Sequence, residues 1–140
     1  CYRCPWDKGY PGCDIRCAQA LEVAVRLAGS ENVAAFIAEP VSGASLGAAV
    51  PPPEYWPLVR EICDHYGLLL IADEVMTGFG RTGRWFAMQH WDVTPDVMVM
   101  AKGGTIQRQT KLRRKIGEML PYPYRTNAFH TQTRLRDLVE

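Results

Sequence analysis

The stretch LLLIADEVMTGFGRTG, residues 68–83, constrains this chain more than any other. Five successive apolar residues, 68–72, leave no polar side for water, which predicts a strand covered on both faces. The run stops on Asp73 and Glu74 and then enters a turn punctuated by Gly78, Gly80 and Gly83. Asp73 therefore falls at the carboxyl end of a buried strand, the edge where open α/β sheets bind their ligands. A plainer reading has Asp73 and Glu74 mark the chain's exit into solvent.

Two further apolar runs repeat the pattern. VAAFIA (33–38) ends on Glu39-Pro40, and VMVMA (97–101) ends on Lys102-Gly103. Between the first run and the central one, residues 55–66 have helical spacing, with Val59, Ile62 and Tyr66 on one face, Pro57 in the first turn and Gly67 as the stop. Strand, helix, strand is a βαβ unit, which makes its strands parallel. Parallel strands bring Glu39, Asp73 and Lys102 to one sheet edge, and a lysine beside carboxylates in a partly dry crevice suggests chemistry. A second helix is expected over 15–27, with Asp14 as its N-cap and Gly29 as its end. The expected fold class is α/β: a partial three-layer sandwich with a mainly parallel sheet, its strands near 34–38, 68–72 and 97–101.

The order AEPV, IADEVMTGFGRTG, PDVMVMAKG resembles the class III aminotransferases, pyridoxal-phosphate enzymes of fold type I, and especially their branch that uses pyruvate or glyoxylate as amino acceptor. The likeness covers residues 1–103 and implies a fragment of that family's large domain. It implies that Lys102 is the catalytic lysine, holding the cofactor as a Schiff base and moving the α-proton. Asp73 would keep the pyridine nitrogen protonated, and Val75 would pack on the ring face. Met76 stands where many relatives carry a Gln that contacts the ring hydroxyl, a bond Met cannot donate. Glu39, in the position of the family's E-P motif, would lie near the substrate. The same likeness implies an amino donor and a 2-oxo acid as substrates and a homodimer for the full-length protein; a cytoplasmic location is expected separately, from the lack of a membrane-length apolar run or a charged-then-apolar leader. Decarboxylases, racemases and aminomutases share the fold and keep the same Lys and Asp, so reaction type is less constrained than cofactor.

A length of 140 residues bounds one domain, and the first residue is Cys rather than Met, so the natural N-terminus is expected to be missing. A net charge of +1 predicts no overall attraction to nucleic acid or anionic membrane, and no apolar run approaches the ~20 residues of a membrane helix. Charge is uneven, however: residues 1–102 carry 8 basic against 12 acidic side chains, whereas 103–140 carry 8 against 3. The shift coincides with the end of the likeness and divides a family-like part, 1–103, from a divergent basic tail, 104–140. The family's glycine-rich continuation after Lys-Gly, its phosphate-binding loop and its small domain have no counterpart, so this chain is expected to be incomplete and inactive alone.

A rival reading takes Cys1-x-x-Cys4, Cys13-x-x-x-Cys17 and the tail's KLRRK (111–115) with Tyr122, Tyr124 and Phe129 as a zinc- or nucleic-acid-binding module. Against it, only eight residues separate the cysteine pairs and Cys17 falls in a predicted helix, so no metal is expected. Cys63 is expected in the core, His90 as a packed, hydrogen-bonded imidazole, and PVSGASLGAAVPPP (40–53) as an irregular loop that lets backbone approach a ligand or a neighbour.

Overall fold

The chain alternates helices and strands: α1 (Arg16–Ala28), β1 (Ala35–Ala38), α2 (Tyr55–Tyr66), β2 (Leu69–Asp73), β3 (Val97–Val99) and a short β4 (Thr133–Arg134), with 3-10 turns at Ser30–Asn32 and Ala87–His90. The structure is a computed structural model that describes residues 4–43, 46–101 and 133–134.

The sheet has the order β1-β2-β3-β4. β1 and β2 are parallel with Ala35 opposite Leu69 and Ala38 opposite Ala72; β2 and β3 are parallel with Ile71 opposite Val97 and Asp73 opposite Val99. β4 adds an antiparallel edge, Met98 facing Thr133. A parallel sheet with one antiparallel edge strand agrees with the expected class.

Because side chains alternate across a strand, Phe36, Ala38, Leu70 and Ala72 share one face, and there they meet Ala18 and Val25 of α1 and Trp56, Val59 and Cys63 of α2. Both helices cover this face. On the other, Leu69, Ile71, Val97 and Val99 are half-buried and Ile37 is 58% exposed. The expectation of a strand covered on both faces is thus corrected to one covered face among the described residues. These residues supply two of the three layers, and the alternate apolar side chains of β2 find no helix opposite them.

Local corrections have similarly simple causes. Helix α1 does not start from an Asp14 cap: its N-cap is Ile15, at φ 51°, and no side chain caps the helix. Asp14 is itself at φ 51°, and its carbonyl accepts from Gln19 Nε2 at 2.8 Å. Cys13, just before these two left-handed residues, is buried. Gly29 ends α1 at φ 78° as expected, and Gly67 ends α2 in the left-handed region, its N–H bonding back to Asp64 and Cys63. β3 stops at Val99, shorter than the apolar run that predicted it, and Lys102 lies outside the described residues. So do Cys1, Ala44, Ser45 and all of the basic tail except Thr133–Arg134.

Register between β2 and β3 is set partly by a side chain. Asp96, 2% exposed, donates its N–H to the Leu70 carbonyl at 2.9 Å and accepts the Leu70 N–H on Oδ2 at 2.8 Å, an extra rung before the ladder proper. The same oxygen accepts from Arg60 Nη1 at 2.7 Å, and Arg60 Nη2 lies 2.9 Å from Asp64. Burial works to lower the Arg60 pKa, but the hydrogen bond and charge of Asp96, with Asp64, leave it raised.

Candidate active site at the carboxyl edge of the sheet

Glu39 and Asp73 each follow the paired residues Ala38 and Ala72, so the two carboxylates leave neighbouring parallel strands at the same edge, where strands run about 4.8 Å apart. Asp73 is half-buried, and its Oδ1 accepts the Val75 N–H at 3.0 Å. That bond turns the chain back over the strand end and fixes the carboxylate's direction. Glu39 accepts the Gly43 N–H. A Cβ built on Gly43 would stand 3.5 Å from both Glu39 Oε2 and Met76 Cγ, so both side chains flank this glycine. The structure therefore gathers four of the expected site residues, Glu39, Asp73, Val75 and Met76, at one edge. The fifth, Lys102, lies three residues beyond Val99, outside the described residues.

The loop after Glu39 is more ordered than its composition suggests. Ser42 and Ala49 exchange backbone bonds of 3.1 and 3.0 Å, the Trp56 indole donates to the Pro40 carbonyl at 3.2 Å, and the Trp91 indole donates to the Pro52 carbonyl at 3.3 Å. Two tryptophans thus clip both ends of the segment that carries Glu39. Beside it opens a cleft of about 470 Å³ lined mainly by apolar and small groups, with Cys17, Glu39, Ser42, Tyr55 and Trp56 among its walls. Asp73 and Met76 do not line it, so this cleft flanks the carboxylate edge rather than enclosing it. Desolvation pushes the Cys17 thiol and the Tyr55 phenol up, so neither is made acidic by the cleft.

Glu74 is the residue sequence reasoning missed. Far from pointing into solvent, its side chain is fully buried. Its Oε1 accepts the Met88 N–H at 2.9 Å and its Oε2 the Ala87 N–H at 3.0 Å, with the Thr77 hydroxyl as a further donor. Its own N–H bonds the Val99 carbonyl at 2.9 Å and its carbonyl accepts the Gly78 N–H at 2.8 Å. A Cβ on Gly78 would come within 2.9 Å of that carbonyl, which explains the glycine. Of the donors to its side chain only Thr77 is near Glu74 in the chain, and a threonine there is equally compatible with a solvent-facing acid, so the sequence carried no signal that separates the two.

His90 is hydrogen-bonded as expected, its Nε2 lying 3.0 Å from the Thr82 carbonyl, but it is exposed rather than packed, a correction; Cys63 is fully buried as expected. Among the described residues no three metal-ligating side chains converge, and no helix is long and apolar enough to cross a membrane. Cys1, one member of the cysteine quartet, lies outside those residues.

The aminotransferase class-III family matches residues 8–131, a span that runs past Gly103 into the basic tail. A putrescine–pyruvate aminotransferase of Pseudomonas aeruginosa is 56% identical over 88 residues, which cover 63% of this chain and 19% of that protein. A leucine/methionine racemase of Thermococcus litoralis is 42% identical over 105 residues, covering 73% and 23%. Among solved structures, an amine transaminase from an uncultivated Pseudomonas species, in a PLP-bound form, superposes with a TM-score of 0.68 at 49% identity, covering 74% of this chain and 23% of that one. The chain thus spans about a fifth of the length of the relatives it matches.

Proposed function

The chain belongs to the class III aminotransferase family, and from that premise we propose that the protein it represents moves an amino group from an amine or amino acid to a 2-oxo acid such as pyruvate or glyoxylate. The observation that carries this reading is the half-buried Asp73, held by the Val75 N–H at the carboxyl edge of a parallel sheet, beside Glu39 and opposite Val99 of β3. Pyruvate as acceptor is supported by the name of the Pseudomonas aeruginosa relative.

The residues fit pyridoxal phosphate chemically. Its pyridine ring, when bound, withdraws electrons from the substrate's α-carbon, and does so well only while the ring nitrogen is protonated. Asp73 supplies the fixed carboxylate that raises that nitrogen's pKa, since an opposite charge at hydrogen-bond distance favours the charged form. Val75, next along the turn, offers the aliphatic surface for a ring face. Met76 brings a thioether, with no N–H, to the place where an amide would contact the ring hydroxyl. Lys102, the lysine of the family-like Lys-Gly, would contribute the amine that holds the cofactor and moves the α-proton. Glu39, which with Met76 flanks Gly43, lies on the side from which substrate would approach.

Residues 1–103 are read as part of the large domain and 104–140 as a divergent basic tail; the complete protein is read as a cytoplasmic homodimer. The 140-residue chain by itself is read as inactive, because Asp73 and Lys102 are useful only when phosphate, ring face and substrate carboxylate are held together. The racemase relative keeps a sister reaction open as the second reading. The test adds pyridoxal phosphate to the chain and records a visible absorbance band, with Lys102→Ala as control. The full-length protein is then assayed for amine-to-pyruvate transfer. A band independent of Lys102 removes the lysine assignment. Transfer from no amine, with an amino acid losing its chirality instead, replaces transamination by racemisation.

A further inference from the structure

The carboxylate next to Asp73 has a role that the reaction does not require of it directly. Glu74 is buried between the strand end and the turn Ala87–His90, and its backbone and side chain together tie down three segments: β3 through the Val99 carbonyl, the glycine turn through the Gly78 N–H and the Thr77 hydroxyl, and the 87–90 turn through two amide N–H groups. Val75 follows it directly, and the Val75 N–H is what aims Asp73. The peptide plane carrying that N–H begins at the Glu74 carbonyl, which Gly78 holds at 2.8 Å. Movement of Glu74 therefore rotates a donor that orients Asp73.

We propose that Glu74 is a positioning residue that acts through Asp73: by clamping the Ala87–His90 turn to the end of β2 it holds the Val75 N–H, and so the Asp73 carboxylate, in the direction a pyridine nitrogen needs. The functional half of this statement rests on the reading of Asp73 given above. Glu74 does not touch the cofactor or substrate in this account. Replacement by Gln keeps the shape but offers an NH₂ where an acceptor is needed, opposing either the Met88 or the Ala87 N–H. One buried backbone donor is then left without a partner and the clamp loosens.

The first readout needs no cofactor. In the complete chain the Val75 amide proton, bonded to Asp73, shifts as Asp73 titrates. Glu74→Gln is expected to cut that shift at least twofold, while amide exchange at Leu70 and Met98 shows the sheet intact. Thr77→Val, which removes one donor only, is expected to give a smaller loss, and decides the matter if Glu74→Gln does not fold. An undiminished Val75 response in these variants overturns the proposal. The second readout is pyridoxal phosphate affinity by tryptophan fluorescence. Glu74→Gln is expected to weaken it roughly tenfold, and to add little once Asp73 is already Asn. Equal weakening in both backgrounds also overturns the proposal, because Glu74 would then not act through Asp73. A wild-type chain that binds no pyridoxal phosphate, yet loses the Val75 response in Glu74→Gln, removes the cofactor reading and leaves the hold on Asp73 standing.

Discussion

Replacing Asp96 by Ala removes two bonds at once, and the structure allows their loss to be sized separately. The Leu70 N–H, at a strand position 0% exposed, loses its 2.8 Å acceptor, and a buried unsatisfied backbone donor costs about 1–3 kcal/mol. Arg60, whose side chain is 15% exposed, loses its 2.7 Å partner but keeps Asp64 at 2.9 Å. Its share is accordingly well below the ~3–5 kcal/mol of a fully buried charge stripped of its only partner. Together the two losses amount to about 3 kcal/mol. Asp96→Asn retains an acceptor for Leu70 and loses only the charge, so about half of that is expected. Asp64→Ala, at a residue 52% exposed, is expected to cost about 0.5 kcal/mol or less. Urea unfolding followed by tryptophan fluorescence, compared at constant m, reads all three. If the Ala and Asn variants at 96 are equally destabilised, or both fall below Asp64→Ala, the extra rung carries no weight and the reasoning about β3 register fails.

Gly78→Ala places a Cβ within 2.9 Å of the Glu74 carbonyl, backbone that cannot swing aside, and is expected to cost about 1–3 kcal/mol and to weaken the Val75 hold on Asp73; thermal unfolding and the Val75 amide shift check it. The Tyr10 hydroxyl donates to the Glu54 carboxylate, which raises the Tyr10 pKa above its ordinary value of about 10. A folded-state pKa above the unfolded one means the clasp is fully present below about pH 10 and is lost as pH rises through the folded value. A stability profile in alkali that is unchanged by Tyr10→Phe would show the clasp to be idle.

Much of this site was legible because its logic is local. Apolar runs ending on Glu39 and Asp73, joined by a helix of obvious period, leave one topology, and the topology brings those two strand ends together whatever the details of packing. Helix ends at Gly29 and Gly67 were equally plain, since glycine tolerates the positive φ that stops a helix there. The start of α1 was not, because Asp14 and Ile15 both adopt left-handed backbone, a conformation that the capping preference of Asp14 does not foretell.

By itself, then, the sequence determined the order of elements, the parallel sheet and the carboxylate edge, because periodicity and chain connectivity are properties of neighbouring residues. Only the tertiary structure decided what Glu74 and Asp96 do. In the sequence both are acids beside a turn, indistinguishable from solvent-facing ones; in the fold, each is buried against backbone N–H groups from segments far along the chain, Ala87 and Met88 for one and Leu70 for the other. A carboxylate's partner is set by which donors the packing brings within about 3 Å, and no residue's own neighbours in the chain specify that.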